Sequence, residues 1–153
     1  MTRAARIRRL PASPAAVWQV IDDPFQMPRW WPSVTRVEGV ERERFTLVFQ
    51  TKRNRPVRMD FRVLASDPPG IGGAPAGHRR WEQEVMGTPF ERVLHEAVTE
   101  MLLEPAAGGG TQVTIAQLQR LRGFSRTGAV LLRRATERRL DEALDALEQI
   151  VSG

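Results

Sequence analysis

The longest periodic pattern of apolar and polar positions covers the C-terminal segment from about Ser125 to Val151. Apolar and small residues recur there at steps of three and four, which places them on one face of an α-helix. Ser125 is a suitable N-cap, because its side-chain oxygen accepts a bond from a backbone N–H of the first turn. A helix this long needs a large apolar partner. Its predicted buried face consists of Ala129, Leu132, Thr136, Leu140, Ala143, Leu144, Leu147 and Val151.

The N-terminal part predicts one strand followed by two short helical segments. Arg3 to Leu10 alternates weakly between polar and apolar residues and indicates a strand. Ser13-Pro14 then favours a helix from about Pro14 to Ile21, with serine as N-cap and proline at the first helical position. Asp22-Asp23-Pro24 ends it, because the residue before a proline is disfavoured in helical geometry. Phe25 to Trp31 is expected to form a second short helical turn.

Between residues 33 and 121 the period of the pattern becomes two, which is typical of half-buried strands. The Pro- and Gly-rich stretch Asp67–Gly77 indicates a flexible loop, and it lacks the Gly-Lys-Ser/Thr ending of a phosphate-binding loop. Ala107 to Gly110 predicts a glycine hairpin. Strands in series followed by a long helix indicate an α+β fold with an antiparallel sheet of about six to seven strands, in one domain spanning 1–153. The strands of this region are expected at Ser33–Val40, Phe45–Phe49, Val57–Ala65, Arg79–Met86, Val93–Leu103 and Thr111–Leu121.

Composition excludes several classes of protein. The chain has no cysteine, so it has no disulfides and no thiolate chemistry. No apolar run approaches the length of a membrane span, and no apolar segment follows the first arginines as in a secretory signal, so a cytoplasmic protein is expected. The net charge of +5 rests on 23 basic residues, of which only Lys52 is a lysine. Positive charge favours anionic partners, but arginines alternating with apolar residues are also what a solvated sheet face contains.

The N-terminal motifs resemble a known pattern. Pro14-Ala15-Ala16-Val17-Trp18, the Asp-Pro turn at Asp23-Pro24 and Trp31-Pro32 stand in the order found in the START-like helix-grip superfamily (SRPBCC), and most of all in its polyketide cyclase/dehydrase and lipid-transport members. The hairpin strand from Gly109 to Thr114 and the long terminal helix match as well. The resemblance covers essentially the whole chain, and its motifs are structural rather than catalytic.

The resemblance implies a curved antiparallel sheet wrapped around the C-terminal helix, with a cavity between them. Members of the superfamily bind lipids, sterols, polyketides or other apolar molecules, and some are cyclases. No catalytic residue is carried over, because no shared catalytic motif aligns with this sequence. A small hydrophobic molecule is therefore the expected partner.

The side chains on the inward face of the strands and on the apolar face of the terminal helix are the candidate ligand contacts, because such pockets are mostly apolar with a few placed polar groups. Each apolar residue taken alone is equally typical of a packed core. Several polar residues converging on one face favour a ligand or ordered water, because a buried polar group without a partner costs free energy. The predicted ligand-binding set is Trp31, Phe49, Met59, Phe61, Trp81, Gln83, His95, Thr99, Met101, Ile115, Gln117, Leu132, Thr136 and Leu140.

His95 is the candidate acid or base, because imidazole titrates near neutral pH. A single strand histidine is also commonly structural. No Ser-His-Asp triad is readable, and two histidines without cysteine or a suitably spaced carboxylate pair predict neither a metal site nor a cofactor. The apolar stripe Leu94, Val98 and Leu102, expected on the face opposite His95, suggests a homodimer contact.

Three functions are compatible with this pattern. The first is binding of a small hydrophobic or amphipathic molecule, lipid-like or polyketide-like, in the expected cavity. The second is a cyclase/dehydratase-type enzyme with His95 as acid or base and Gln83, Thr99 or Gln117 orienting the substrate. The third is a protein or nucleic-acid interaction module, although the absence of tyrosine and of interleaved basic and aromatic residues counts against nucleic acid. This interaction module would use Arg120, Arg122, Arg126, Arg133, Arg134, Arg138 and Arg139.

Overall fold

A computed structural model describes residues 1–70, 76–123 and 125–153. One sheet with the strand order β1-β7-β6-β5-β4-β3-β2 packs on the C-terminal helix, and every neighbouring pair is antiparallel. This confirms the helix-grip α+β fold. Residues 71–75 of the predicted loop Asp67–Gly77 lie outside the described residues. The elements are β1 (Thr2–Leu10), α1 (Pro14–Ile21), α2 (Met27–Trp30), β2 (Val34–Glu38), β3 (Arg44–Gln50), β4 (Pro56–Asp67), β5 (Gly77–Gln83), β6 (Leu94–Pro105), β7 (Thr111–Leu121) and α3 (Arg126–Ser152), with 3-10 turns at Pro24–Gln26 and Pro89–Arg92.

The helix starts follow the predicted capping chemistry. The Ser13 hydroxyl accepts a bond from the backbone N–H of Ala16 at 3.2 Å, with Pro14 in the first helical position. The Ser125 hydroxyl accepts from the backbone N–H of Gly128 at 3.1 Å. Each cap satisfies a donor that the helix itself leaves without a partner.

The C-terminal two-thirds of α3 provide its contact with the sheet. Its buried residues are Thr136, Leu140, Ala143, Leu144 and Leu147. Within α3, which is described throughout, no residue before Thr136 is buried, and Leu132 and Ala129 of the predicted face are only half-buried. The sheet therefore grips a shorter stretch of the helix than its periodicity predicts.

Ion pairs fix α3 to the edge strand β1. Arg6 lies 2.8 Å from Glu137 and 3.2 Å from Asp141. Arg8, two residues further on the same face, pairs with Asp145. Because side chains two apart on a strand share a face, these arginines point toward the helix and leave Ile7 on the other side, 65% exposed.

A second charge cluster lies on the opposite edge of the sheet and makes stability depend on pH. Bonds from Arg58 and then from Arg36 lower the pKa of Glu38 from 4.5 to about 2. A carboxylate with a lowered folded-state pKa contributes stability above the unfolded-state pKa, and this contribution is lost as the pH falls through the folded-state value.

We therefore expect the variant Glu38→Gln to unfold at lower urea concentration than the wild type above pH 4.5, and the two midpoints to converge as the pH approaches 2. Urea titrations followed by circular dichroism at a series of pH values measure this. Glu41→Gln is the control, since Glu41 is exposed and has no basic side chain within 4.0 Å in the described ranges. A constant difference between Glu38→Gln and wild type at every pH would contradict the prediction.

Candidate ligand cavity between the sheet and the terminal helix

A cavity of about 170 Å³ lies between the inner face of the sheet and α3. Five strands contribute to it, together with the residue after α2, the 3-10 turn before β6 and one residue of α3. Alternate residues of β3, β4, β5 and β7 line it, as expected for side chains that point to the same face of a sheet. Its lining consists of Trp31, Leu47, Phe49, Met59, Phe61, Trp81, Gln83, Phe90, Leu94, Ala97, Thr99, Gln117, Gln119 and Arg139.

Aromatic rings build the apolar wall. The Trp31 and Trp81 rings meet edge to face, with centroids 6.1 Å apart, and Trp30 supports Trp31 from behind at 5.5 Å. Phe61 stacks on Phe45 at 5.4 Å. Rings locked by such contacts offer a ligand a rigid apolar surface at low entropic cost.

The remaining lining includes apolar side chains and a polar group of three glutamines, Thr99 and Arg139 that contains several hydrogen-bond donors. The Gln117 amide donates to the Thr99 hydroxyl at 3.0 Å. The Gln83 amide nitrogen is buried and has no hydrogen-bond partner among the described residues. An unsatisfied buried donor costs about 1–3 kcal/mol, so an acceptor entering the cavity at Gln83 would recover that cost.

Arg139 supplies the positive charge of the cavity. It directly precedes the buried Leu140 on α3, and surrounding protein atoms lower its pKa, against a smaller opposing effect of Glu142. The side chain is nevertheless exposed to solvent. Both observations fit a guanidinium at the mouth of an open cavity, crowded by protein on its sides yet reached by water. It remains protonated, because an arginine keeps its proton in proteins.

The structure places part of the predicted set in the cavity and part outside it. Met101, Ile115, Leu140 and Thr136 are buried in the core but do not line the cavity. Leu132 is half-buried, away from the lining. Predicted residues that line the cavity are Trp31, Phe49, Met59, Phe61, Trp81, Gln83, Thr99 and Gln117.

The expected inward position of His95 is wrong. The pairing of β6 with β7 shifts between Leu94, which faces Leu121, and Glu96, which faces Arg120. This bulge inserts one residue into β6, so Leu94 and Ala97 both point inward while His95 is exposed on the outer face. The predicted dimer stripe is disrupted too, because Leu94 lines the cavity and Val98 is only 2% exposed.

His95 lies instead in a groove of about 590 Å³ on the outer face of the sheet. This groove is larger than the cavity but open and lined by charges that neutralise one another, such as Arg62 with Glu82. A ligand there would stay largely hydrated. We therefore place the candidate site in the inner cavity.

Sequence reasoning missed six lining residues, for different reasons. Gln119 follows Gln117 on the same face of β7, so continuing the alternation by one step would have found it. Leu94 was hidden by the bulge. Phe90 belongs to an irregular segment, and nothing in the helix pattern distinguishes Arg139 from its neighbours. The missed residues are Leu47, Phe90, Leu94, Ala97, Gln119 and Arg139.

The described residues contain no group of three or more His, Cys, Asp or Glu side chains arranged to hold a metal ion. No helix in the described ranges is both long and apolar enough to span a membrane.

Comparisons with known proteins agree with this architecture. A family model described as "Polyketide cyclase / dehydrase and lipid transport" matches residues 1–152. A search of curated proteins gave no match.

Solved structures similar to the chain include two di-domain ARO/CYC proteins. One is BexL from the BE-7585A biosynthetic pathway (24% identity, TM-score 0.76, covering 97% of this chain and 46% of that one). The other is StfQ from the steffimycin biosynthetic pathway (10% identity, TM-score 0.77, covering 99% and 51%). A START superfamily protein from Mycobacterium smegmatis has 9% identity and a TM-score of 0.73, with 99% and 98% covered. The chain thus spans about half the length of the di-domain proteins, and these similarities show the fold.

Proposed function

Because the chain belongs to the polyketide cyclase / dehydrase and lipid transport family, we propose that it binds a compact amphipathic molecule in the cavity between the sheet and α3. The supporting observation is the division of the cavity into an aromatic wall around Trp31 and Trp81 and a donor-rich wall that includes Gln83. A ligand with an apolar ring and one polar end would pack its ring against the aromatic wall and accept hydrogen bonds from the other wall.

The size of the cavity narrows the ligand class. Sites for drug-sized ligands usually measure about 300–1,000 Å³, and an engineered cavity of about 150 Å³ holds benzene. A volume of about 170 Å³ therefore suits one ring or two compact rings. A multi-ring polyketide or a lipid chain would place only one end in this space.

No observation favours the two alternative functions. Within the described ranges, neither a histidine nor a carboxylate lines the cavity, so an acid–base reaction at this site has no group of suitable pKa. Three of the arginines considered for nucleic acid lie in different surroundings: Arg139 lines the cavity, Arg120 lies in the outer groove and Arg133 is near Glu137 at 3.7 Å.

Filling the cavity tests the proposal. Ala97→Leu places a larger apolar side chain in the cavity without removing any hydrogen bond, so we expect the variant to stay folded and to lose at least about tenfold in affinity, equivalent to about 1.4 kcal/mol. The probes are benzyl alcohol, indole and 2-naphthol, which offer one or two rings and a single polar group. Isothermal titration calorimetry measures their binding.

Ala5→Leu is the matched control, because Ala5 is a half-buried strand alanine on the outer face, beside the exposed Ile7. It should bind the probes as the wild type does. If no probe binds to the wild type, or if Ala97→Leu binds as tightly as the wild type, the cavity is not the ligand site.

A further inference from the structure

The cavity holds a cation whose charge no acidic side chain neutralises at contact distance. No carboxylate oxygen in the described ranges lies within 4.0 Å of the Arg139 guanidinium, whereas Arg6, Arg8 and Arg133 each pair with an acidic residue of α3. Glu142, the acidic residue that affects Arg139, acts only from a greater distance. Among the arginines of α3, which is described throughout, Arg139 is the one that lines the cavity, and its position there rather than its lack of an ion pair distinguishes it.

The other polar side chains of the cavity supply donors as well. The Gln83 amide nitrogen is buried and has no partner in the described ranges, and the Gln117 amide nitrogen is already bonded to the Thr99 hydroxyl. In the part of the chain that the structure describes, the lining includes no Asp or Glu. A cavity whose described lining has one positive charge, a free donor and no negative charge complements an acceptor that carries negative charge.

The shape of the arginine side chain favours one kind of negatively charged acceptor. Its planar guanidinium matches a carboxylate through two parallel N–H···O bonds, and these charge-assisted bonds are stronger than bonds between neutral groups. The crowding by protein that lowers the pKa of Arg139 also reduces the screening of such a bond by water. The rings of Trp31 and Trp81 leave an apolar surface for the remainder of the molecule.

We propose that the ligand is a compact aromatic or alicyclic carboxylate whose ring packs against Trp31 and Trp81 and whose carboxylate binds Arg139. This inference rests on the proposed function and adds the charge of the ligand to it. The Gln83 amide, which lines the same cavity, would be a second donor to the ligand. A neutral molecule of equal shape would leave the guanidinium without a counter-ion in the crowded mouth of the cavity.

The test compares 2-naphthoate with 2-naphthamide, which share ring and shape but differ in charge, by isothermal titration calorimetry at low ionic strength. Wild type should bind the naphthoate at least about tenfold more tightly, since a charge-assisted hydrogen bond is stronger than one between neutral groups. Arg139→Gln should abolish that preference, because it should reduce the affinity for naphthoate far more than the affinity for naphthamide. Arg138→Gln is the control, because Arg138 is an exposed neighbour on α3 that does not line the cavity.

The outcomes separate this inference from the proposed function. Equal affinity of wild type for the two probes, or an unchanged naphthoate preference in Arg139→Gln, would overturn the carboxylate while leaving the cavity as a binding site. Failure of both probes together with benzyl alcohol, indole and 2-naphthol would overturn both proposals. The comparison within wild type needs no variant, so it decides the question even if a substitution impairs folding.

Discussion

Replacing Gly110 by alanine is expected to lower the free energy of unfolding by about 3 kcal/mol or more. Gly110 has a φ of +80°, a conformation that side chains rarely adopt, and a Cβ there would lie 2.4 Å from the carbonyl oxygen of Leu10. The obstacle is backbone at the end of β1. It cannot rotate away as a side chain would, so β1 or the hairpin must move.

That movement would disturb a junction with several contacts. The Arg9 guanidinium donates to the carbonyl oxygen of Gly109 at 2.6 Å, and the Thr111 hydroxyl donates to the carbonyl oxygen of Ala12 at 2.6 Å. These bonds hold the β6–β7 hairpin against the end of β1. Because β1 also carries the arginines that pair with α3, a shift there weakens the attachment of the helix.

Gly108→Ala is the matched control for Gly110→Ala. Gly108 lies in the same turn with a φ of +83°, but a Cβ there would meet nothing within 4 Å. Gly108→Ala should lower the free energy of unfolding only by the cost of holding an alanine at positive φ, about 1–2 kcal/mol. Urea unfolding of the two variants measures the difference, and equal losses would show that the close approach to Leu10 is not what requires glycine at 110.

The second large effect is expected for Leu140→Ala, which should cost about 2–5 kcal/mol of stability. Leu140 is fully buried and belongs to the hydrophobic core that α3 shares with the sheet. Truncation removes its apolar contacts and leaves a void that the surrounding structure fills only in part. Because Arg139 is the adjacent residue, the same change should also loosen one wall of the ligand cavity.

Leu131→Ala on the same helix is its control, since Leu131 is 60% exposed. Alanine is a better helix former than leucine, so this variant should stay within about 0.5 kcal/mol of wild type. Thermal and urea unfolding of both variants, together with binding of 2-naphthol, measure the two effects. A small loss for Leu140→Ala would mean that the sheet does not depend on this part of α3 for its core.

Local patterns were sufficient to predict most of the fold. The spacing of apolar residues in the C-terminal segment predicted α3, and Ser125 marked its first turn because a hydroxyl there satisfies an orphan donor. The alternation along β4 predicted its inward face, including Met59 and Phe61. These signals are local, since each depends on the conformation of a few consecutive residues.

The burial of a charged residue, in contrast, could not be predicted from local patterns in the sequence. Arg79 is 6% exposed and its guanidinium donates to the Ser66 hydroxyl at 2.8 Å. Burial lowers the pKa of Arg79, and the carboxylates of Asp22 and Asp23 oppose that shift. The arginine lies on β5 and the two acids follow α1, so their proximity depends on how α1 packs on the sheet.

The sequence by itself determined the elements, their order, their caps and the resemblance to the family, because these depend on local propensity and periodicity. Only the tertiary structure decided which inward residues surround free space. Alternation along a strand predicts which side chains point inward only while the register of pairing is unbroken. The bulge at His95 shifts the register, so the side chains at the start of β6 point to the face opposite to the predicted one. Whether Leu140 is packed in the core and whether Arg139 borders a cavity depend on all the side chains nearby. A cavity is the space that these side chains together leave unfilled.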